Sequence, residues 1–535
     1  MKKTLYILAI SLLTFASCTD LNVDVVSQYT SYPENEIAVE GMMSDVYFHM
    51  KGALGRRYME AQCLSSDEFT CLAFDGGYYD NGTYAHQALH CSSPDDASLD
   101  YCSAITAGIT KANKVILTLG GNEAPAAASA RAIRAFFTWM FMDNFGDTPI
   151  LDRIPEDGEI IPRSARKDVA EWIESELLDV IPLLTTEKNA NTYGKPTKWM
   201  AEALLVKLYI NWPVYTAASV DAYDASTATN AKLADCIKYC DDIINSGKFN
   251  LGSMEYRFKF APTNGPAVED FIYAMPYDAV SDNNAGSGFQ YARPRSYKNL
   301  KGMVPNYYGS ADAFTQSFGG NMVLTPEMAD LFCLEGDQRN NCVLGGPVFN
   351  YDATTLLPTD KPFEYKGVQV VFTKDITLIK TDNTVDVGNT GESAQQGYHS
   401  IKWFIVPEDY NNGRCQSNDL PIFRFADILL TKAEALVRSS KSGAKDLFNQ
   451  VRAYAKAPLL DHEPSLQELL DERGREFFDE NWRRNDMIRF GTYESEFFPH
   501  YTDFPDANFD KKHRIFPVHI DAMNANPGWV QNPGY

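Results

Sequence analysis

Basic residues are in short supply in this 535-residue chain: 48 Lys and Arg stand against 71 Asp and Glu, a formal net charge of −23. That balance argues against nucleic acid as a partner, because phosphate backbones are held by stripes of Lys and Arg. It also disfavours a polyanionic ligand except at a local basic patch. The ten cysteines include no C-x-x-C pair, so zinc-ribbon and thioredoxin-like chemistry find no support. The eight histidines show no H-E-x-x-H spacing, and neither a G-x-S-x-G elbow nor a phosphate loop occurs. Beyond the first seventeen residues, no segment is apolar for the about 20 residues that a spanning helix needs. What is plentiful is aromatic: 29 Tyr and 31 Phe, with 13% of the chain aromatic and 44% hydrophobic. Such flat amphipathic side chains suit sugar rings as well as cores.

The N-terminus has the layout of a secretory signal: Lys2 and Lys3, the short apolar run TLYILAISLLTFA, then Ser17 and Cys18. Polar Thr19 and Asp20 follow too soon for a membrane span. Small residues before a cysteine resemble the bacterial lipoprotein box, with Phe15 in place of the usual leucine. On that reading residues 1–17 are removed and Cys18, acylated with palmitate, becomes the first residue of a protein held on a bilayer without crossing it. The alternative is a plain secreted protein cut near Ala16. Nine cysteines remain; export makes disulfides permissible, their pairing stays open, and most are expected as buried apolar fillers. Cys236 and Cys240 lie one turn apart on an expected helix, and Cys333 and Cys342 flank an acidic loop.

Helical periodicity is strong in several places. Ile133, Phe136, Phe137, Met140 and Phe141 form one apolar stripe, ended by Gly146 and Pro149. Ala201, Leu204, Leu205, Leu208 and Tyr209 form another, stopped at Pro213; ADCIKYCDDIINSGKFNL closes at Gly247 in a C-cap position. A fourth stripe runs through Ile422, Phe425, Leu429, Ala433 and Leu436. AKDLFNQVRAYA and SLQELLDERGREFFDENWRRNDMIRFG add two more, the latter expected as a solvated helix with i, i+4 ion pairs Asp479–Arg483 and Glu480–Arg484. The helices tend to come in pairs joined by short polar breaks. Between about 255 and 420 the character changes: Gly, Pro, Asn and Asp cluster, and EDFIYAMPY and KGVQVVFTKDITLIK read as short strands or hairpin arms. This is a long, loop-rich elaboration of the kind that carries binding surfaces.

Four segments, in order, resemble one family. LPIFRFADILLTKAEALVR is similar to a helix of the SusD/RagB family of outer-membrane nutrient-binding lipoproteins, matching at Arg424, Ala426, Asp427, Leu429, Leu430, Ala433, Glu434 and Ala435. ERGREFFDENWRRNDMIRFG matches the family at Glu472, Arg473, Arg475, Glu476, Glu480, Arg483, Asp486, Arg489 and Gly491, departing at Gly474 and at Arg484 and Asn485. ARAIRAFFTWMFMDNFGDTPI and the terminal FPVHIDAMNANPGWVQNPGY resemble two further family segments. With the lipoprotein start, the resemblance covers residues 18–535. It implies an all-α fold of four degenerate tetratricopeptide-like helix pairs, an α/α superhelix, with an irregular half carrying the ligand site and a few short strands. The expected organisation is a signal peptide at 1–17, a lipidated tether at 18–40 and a single domain at 41–535. Its scaffold would lie mainly in 41–250 and 420–491, its binding part in 255–420. The implied partner is a SusC-like TonB-dependent outer-membrane barrel, and the implied cargo an oligosaccharide or, in some relatives, a peptide.

Two aromatic clusters are the candidate binding residues. FDGGYYDNGTYAH sets Tyr78, Tyr79 and Tyr84 around Asn81 in a turn-forming stretch. Tyrosine faces stack on the C–H faces of sugars, and amide side chains exchange hydrogen bonds with hydroxyls. The family places its main stacking aromatic in this region, often as tryptophan. The second cluster, residues 287–314, holds Tyr291, Arg293, Tyr297, Tyr307 and Tyr308, with Phe289, Phe314, Arg295, Asn299 and Asn306 between them. Loop aromatics at such density call for something to cover them. The bland reading is that half pack beneath the loop or against a partner. The carboxylates of 472–489 alternate with arginines, a pattern of structural ion pairs rather than of a glycosidase pair facing across a cleft, and Glu434 reads as a packing acceptor. No cofactor is expected; a structural calcium ion near YDAVSDNN rests on spacing too loose to assign. The expected function is capture of oligosaccharide at the cell surface and delivery to the transporter, without catalysis. The alternatives are an exported all-α glycoside hydrolase and a tetratricopeptide-type envelope scaffold.

Overall fold

In the helix Ala128–Phe145 every residue from Ala130 to Phe145 is buried, as expected of a helix apolar nearly all round. The computed structural model describes residues 36–73, 83–280, 315–316, 322–352, 354–355, 357–365, 367–379, 385–495, 497–498 and 509–535. By mutual contact the chain divides into Met1–Met42 and Met43–Tyr535; the described part of the first is the start of the helix Glu36–Ala53.

Ala128–Phe145 lies between the helices Tyr101–Thr118 and Arg166–Val180. The first approach is close because Gly108 faces Phe137: a Cβ there would stand 2.4 Å from the ring. The helix stops at Gly146, whose φ of +77° suits glycine. Its two arginines are not wasted in the interior. Arg131 and Arg134 converge on Glu176 of the next helix, and Arg134 also donates to Asn113 Oδ1 at 2.8 Å. Lys198–Ile210 begins at Thr197, whose hydroxyl accepts the Met200 amide, and packs on Leu233–Asn245, which ends at Gly247 with φ +65°. Leu233–Asn245 packs on Phe425–Arg438, and that on Ala444–Ala455. The residues of the first two predicted stripes are all buried, within helices buried on nearly every side; the fourth stripe is corrected, since Ile422 lies on the strand Leu420–Arg424, the helix begins at Phe425, and Leu436 is half-buried. Cys236 and Cys240 are both buried on Leu233–Asn245; of the nine cysteines beyond Cys18, seven are buried, Cys91 is half-buried and Cys333 exposed.

The single solvated helix expected over 466–490 is corrected. Leu466–Glu476, opened by a Ser465/Glu468 capping box, is separate from Arg483–Phe490. Asp479 (φ +59°) and Asn481 (φ +72°) turn the chain between them in the left-handed region, which Asn and Asp tolerate better than other non-glycine residues. Both helices are buried rather than solvated. The expected pairs Asp479–Arg483 and Glu480–Arg484 give way to partners far away in sequence: Arg483 holds Asp67 at 2.6 Å, and Glu480 takes Arg424 at 2.7 Å and Lys402.

The strands number six antiparallel two-stranded pairs among the described residues. Phe271–Met275, expected from its apolar run, pairs with Leu420–Arg424. Phe69–Cys71 pairs with Met322–Leu324. From 343 to 372 short arms alternate, including Val368–Gln369 and Val371–Phe372 in the other stretch expected as strand. They cover a second core of Leu72, Leu89, Val323, Phe363, Phe372 and Ile401. The protein is helix-rich with a loop-rich part bearing a few short strands. The chain's end is a strap across the helices. Asn532 Nδ2 donates to the carbonyls of Phe145 and Phe516, and Trp529 sits edge-on to Phe141. The Tyr535 hydroxyl reaches Ile515 O at 3.0 Å.

Candidate functional site

Of the residues expected to bind ligand, Tyr78, Tyr79, Asn81, Tyr291, Arg293, Tyr297, Tyr307 and Tyr308 lie outside the described residues, as does the lipidation candidate Cys18. The described residues on either side fix where those two segments join the fold. The strand Phe69–Cys71 runs antiparallel to Met322–Leu324 with Cys71 opposite Met322, partners about 5 Å apart at Cα. Residues 74–82 therefore depart, and residues 317–321 arrive, at the same end of one strand pair. Ala73 is held further by Val385 O and by the Val387 amide.

The other ends are pinned as well. Ala279 O accepts from Asn412 Nδ2 at 2.6 Å, and the Thr315 amide donates to Asn411 Oδ1 at 2.7 Å. Segment 281–314, which contains the whole second aromatic cluster, thus begins and ends on two consecutive asparagines of one turn. Asp419 Oδ1 and Ser417 Oγ take the amides of Tyr277 and Ala279 and complete the clamp. These anchors were missed in the sequence; the turn-forming YNNGRC at 410–415 was the available signal.

Tyr84 is the one expected stacking residue that the structure describes, and it is corrected. It belongs to the helix Thr83–Ala88, is 2% exposed, and donates its hydroxyl to Glu60 Oε1 at 2.7 Å, with Arg56 bonded to the same hydroxyl. Protein covers its faces, so the ring packs within the fold instead of offering a surface to ligand.

The charged residues of the C-terminal segments form a buried ionic lattice. Arg424 holds Asp270, Glu476 and Glu480 at 2.7–2.8 Å, and Lys259 shares Asp270. Arg339 bridges Asp337, Glu472 and Glu476, and Arg452 and Arg475 close on Glu472. A second arm runs from Lys207 through Asp427, Arg473 and Asp486 to Arg489 and Glu434. Burial alone would raise the carboxyls of Asp270, Asp427 and Glu434, but the adjacent cations outweigh it. Lys259 and Arg424 hold Asp270 at about 2, Arg489 and Arg438 hold Glu434 at about 2, and Lys207 and Arg473 keep Asp427 lower still. A carboxyl so held cannot deliver a proton near neutrality, and each of the three is buried against the cations that hold it. Glu434 is the packing acceptor expected of it, taking Arg438 and both arms of the Arg489 fork.

The lattice also accounts for one departure in the motif. A side chain at Gly474 would meet Leu331 at 2.7 Å and the Arg483 guanidinium at 2.9 Å, so the space is already taken. At the other, Asn485 donates to Asp143 and Arg484 lies 4.4 Å over Phe516. No group of three or more His, Cys, Asp or Glu among the described residues is arranged to hold a metal, and no described helix is long and apolar enough to cross a membrane.

Residues 269–535 match the model of the SusD family. The starch-binding protein SusD of Bacteroides thetaiotaomicron is 24% identical over 426 residues, covering 76% of this chain and 72% of that protein. Surface glycan-binding protein A of the same organism, solved with laminarihexaose, superposes with a TM-score of 0.67 at 18% identity over 93% of this chain and 99% of that one. A laminarin-binding SusD-like protein gives 0.66 at 19% identity over 94% and 100%.

Proposed function

Since the chain belongs to the SusD family, we propose that it is a cell-surface glycan-binding lipoprotein that captures oligosaccharides and passes them to a SusC-like TonB-dependent barrel. It is a binding protein rather than an enzyme. The observation that carries the glycan reading is the joining of the two aromatic-rich segments to one fold. One leaves beside Met322, and the other is clamped at both ends on Asn411 and Asn412. Tyr78, Tyr79, Tyr291, Tyr297, Tyr307 and Tyr308 supply stacking faces in this reading, and Asn81 and Arg293 supply hydroxyl contacts. Starch and laminarin, bound by the relatives, set the first ligands to try.

The helices that pack on their neighbours along the chain are read as degenerate tetratricopeptide-like pairs. The lipid on Cys18 anchors the protein to the outer membrane facing outward, and the residues before about 41 act as its tether. In affinity gels, a bound glycan retards the wild type, and Tyr79→Ala or Tyr307→Ala restores mobility. Retardation by no glycan, or by the variants as strongly as by the wild type, would refute the assignment. Labelled palmitate incorporated by the wild type and lost in Cys18→Ala tests the anchor. Co-purification of a TonB-dependent barrel tests the partner.

A further inference from the structure

Far along the chain from the aromatic segments, a cleft of about 430 Å³ opens between Gly146–Asp147, the start of the helix Arg166–Val180, the turn 216–221 and the C-terminal strap. That volume is in the range of small-molecule sites. Its walls combine Arg166, Thr216, Ser219 and Lys512 with apolar Ile515.

Arg166 is the anomaly. The protein is rich in acid, and the arginines of its lattice are each held by carboxylates. The Arg166 guanidinium has no carboxylate within 4.0 Å among the described residues and makes no hydrogen bond, its Nε is buried without an acceptor, and only its backbone amide is met, by Asp147 Oδ1 at 3.1 Å. Stacking at 5.3 Å over the Tyr215 ring fixes its position. Burial depresses its pKa, against attraction from Tyr215, Asp143 and Asp147. A half-buried guanidinium fixed over a ring with no protein acceptor leaves its donors open to the cleft, and an incoming carboxylate would take them with charge-assisted hydrogen bonds. Beside it, the amides of Lys167 and Asp168 open a 15-residue helix whose N-cap, Ala165, has no side-chain acceptor to offer.

The remaining lining residues narrow the ligand. Asp147, Asp168 and Asp221 are exposed members of the same wall. They repel a multiply charged anion but accept hydroxyl hydrogens. We propose that this cleft binds the single carboxylate of a small polyhydroxy acid, a hexuronate in size and chemistry, with the Arg166 guanidinium as its anchor and the carboxylates and hydroxyls of the wall receiving its hydroxyl groups. The lining uses no residue of the aromatic clusters.

The test is calorimetric titration of the purified protein with glucuronate, in parallel with glucose and with sulfate. Glucuronate binds one to one, and glucose at equal concentration neither binds here nor competes. Arg166→Gln weakens binding by about tenfold or more, the loss expected for hydrogen bonds to a charged group, with Arg166→Lys intermediate. Ser219→Asp, at an exposed wall position away from the core, weakens it without disturbing the thermal unfolding midpoint, and Tyr79→Ala leaves it unchanged. Absent saturation, indifference to both Arg166→Gln and Ser219→Asp, equal competition by glucose or sulfate, or loss in Tyr79→Ala would each overturn the assignment.

Discussion

Replacing Glu434 by Gln separates a structural lattice from a catalytic carboxylate. The side chain is fully buried; its oxygens receive the Arg489 fork at 2.8 and 3.0 Å and Arg438 at 2.7 Å. Burial by itself would raise this carboxyl, and the two arginines instead hold it at about 2, against an ordinary value of 4.5. At ~1.4 kcal/mol per pH unit, that difference corresponds to about 3 kcal/mol of folding stability. Breaking a buried ion pair from one side costs ~3–5 kcal/mol, which agrees. Because the folded value is depressed, the contribution is fully present above pH 4.5 and is lost as pH falls toward 2. Urea unfolding at pH 7 should therefore show Glu434→Gln less stable by about 3 kcal/mol, with the gap to wild type narrowing once the pH drops below 4.5. Glycan retardation by the folded variant should be unchanged. A loss under about 0.5 kcal/mol at pH 7, or a gap that widens on acidification, would refute the lattice assignment.

Glu68 predicts the opposite sign. Burial raises its carboxyl to about 8 in spite of the Asp479 amide, so its favourable contribution is complete below pH 4.5 and is lost as pH rises toward 8. Glu68→Gln should match wild type in thermal melts at pH 4.5 and exceed it at pH 9. Gly108→Ala forces a Cβ to within 2.4 Å of the Phe137 ring; overpacking of this kind costs ~1–3 kcal/mol, read as a lowered urea midpoint with little change in slope. Asn411→Ala with Asn412→Ala removes both clamps on segment 281–314. Limited proteolysis should then cut first within that segment, while the melting of the helices stays near wild type.

Sequence pattern made the long helices legible because each needs one continuous apolar face, and Ile133 to Phe141 or Ala201 to Tyr209 can hardly be read otherwise. The four ordered motifs made the family legible too. What their charges do was harder to see. The spacing of Glu480 and Arg484 satisfies a solvated helix, yet the chain turns at Asp479 and Asn481 without a glycine or proline to announce it. Glu480 finds Arg424 and Lys402, and Arg483 finds Asp67, through tertiary contact. Tyr84 was misread for the same reason: its neighbours in sequence are polar and turn-forming, while the contact that buries it comes from Glu60 and Arg56 on an earlier helix. The cleft at Arg166 left no local trace, since its walls come from residues 146 to 533.

The central claim, that this chain binds glycan without transforming it, is tested most directly by incubating the purified protein with a glycan panel that includes starch and laminarin. Affinity-gel mobility and reducing-end release are followed in the same samples. The account predicts retardation by at least one glycan, abolished by Tyr79→Ala or Tyr307→Ala, with reducing ends constant over time. Reducing ends that accumulate with protein, or mobility indifferent to every glycan, would contradict it.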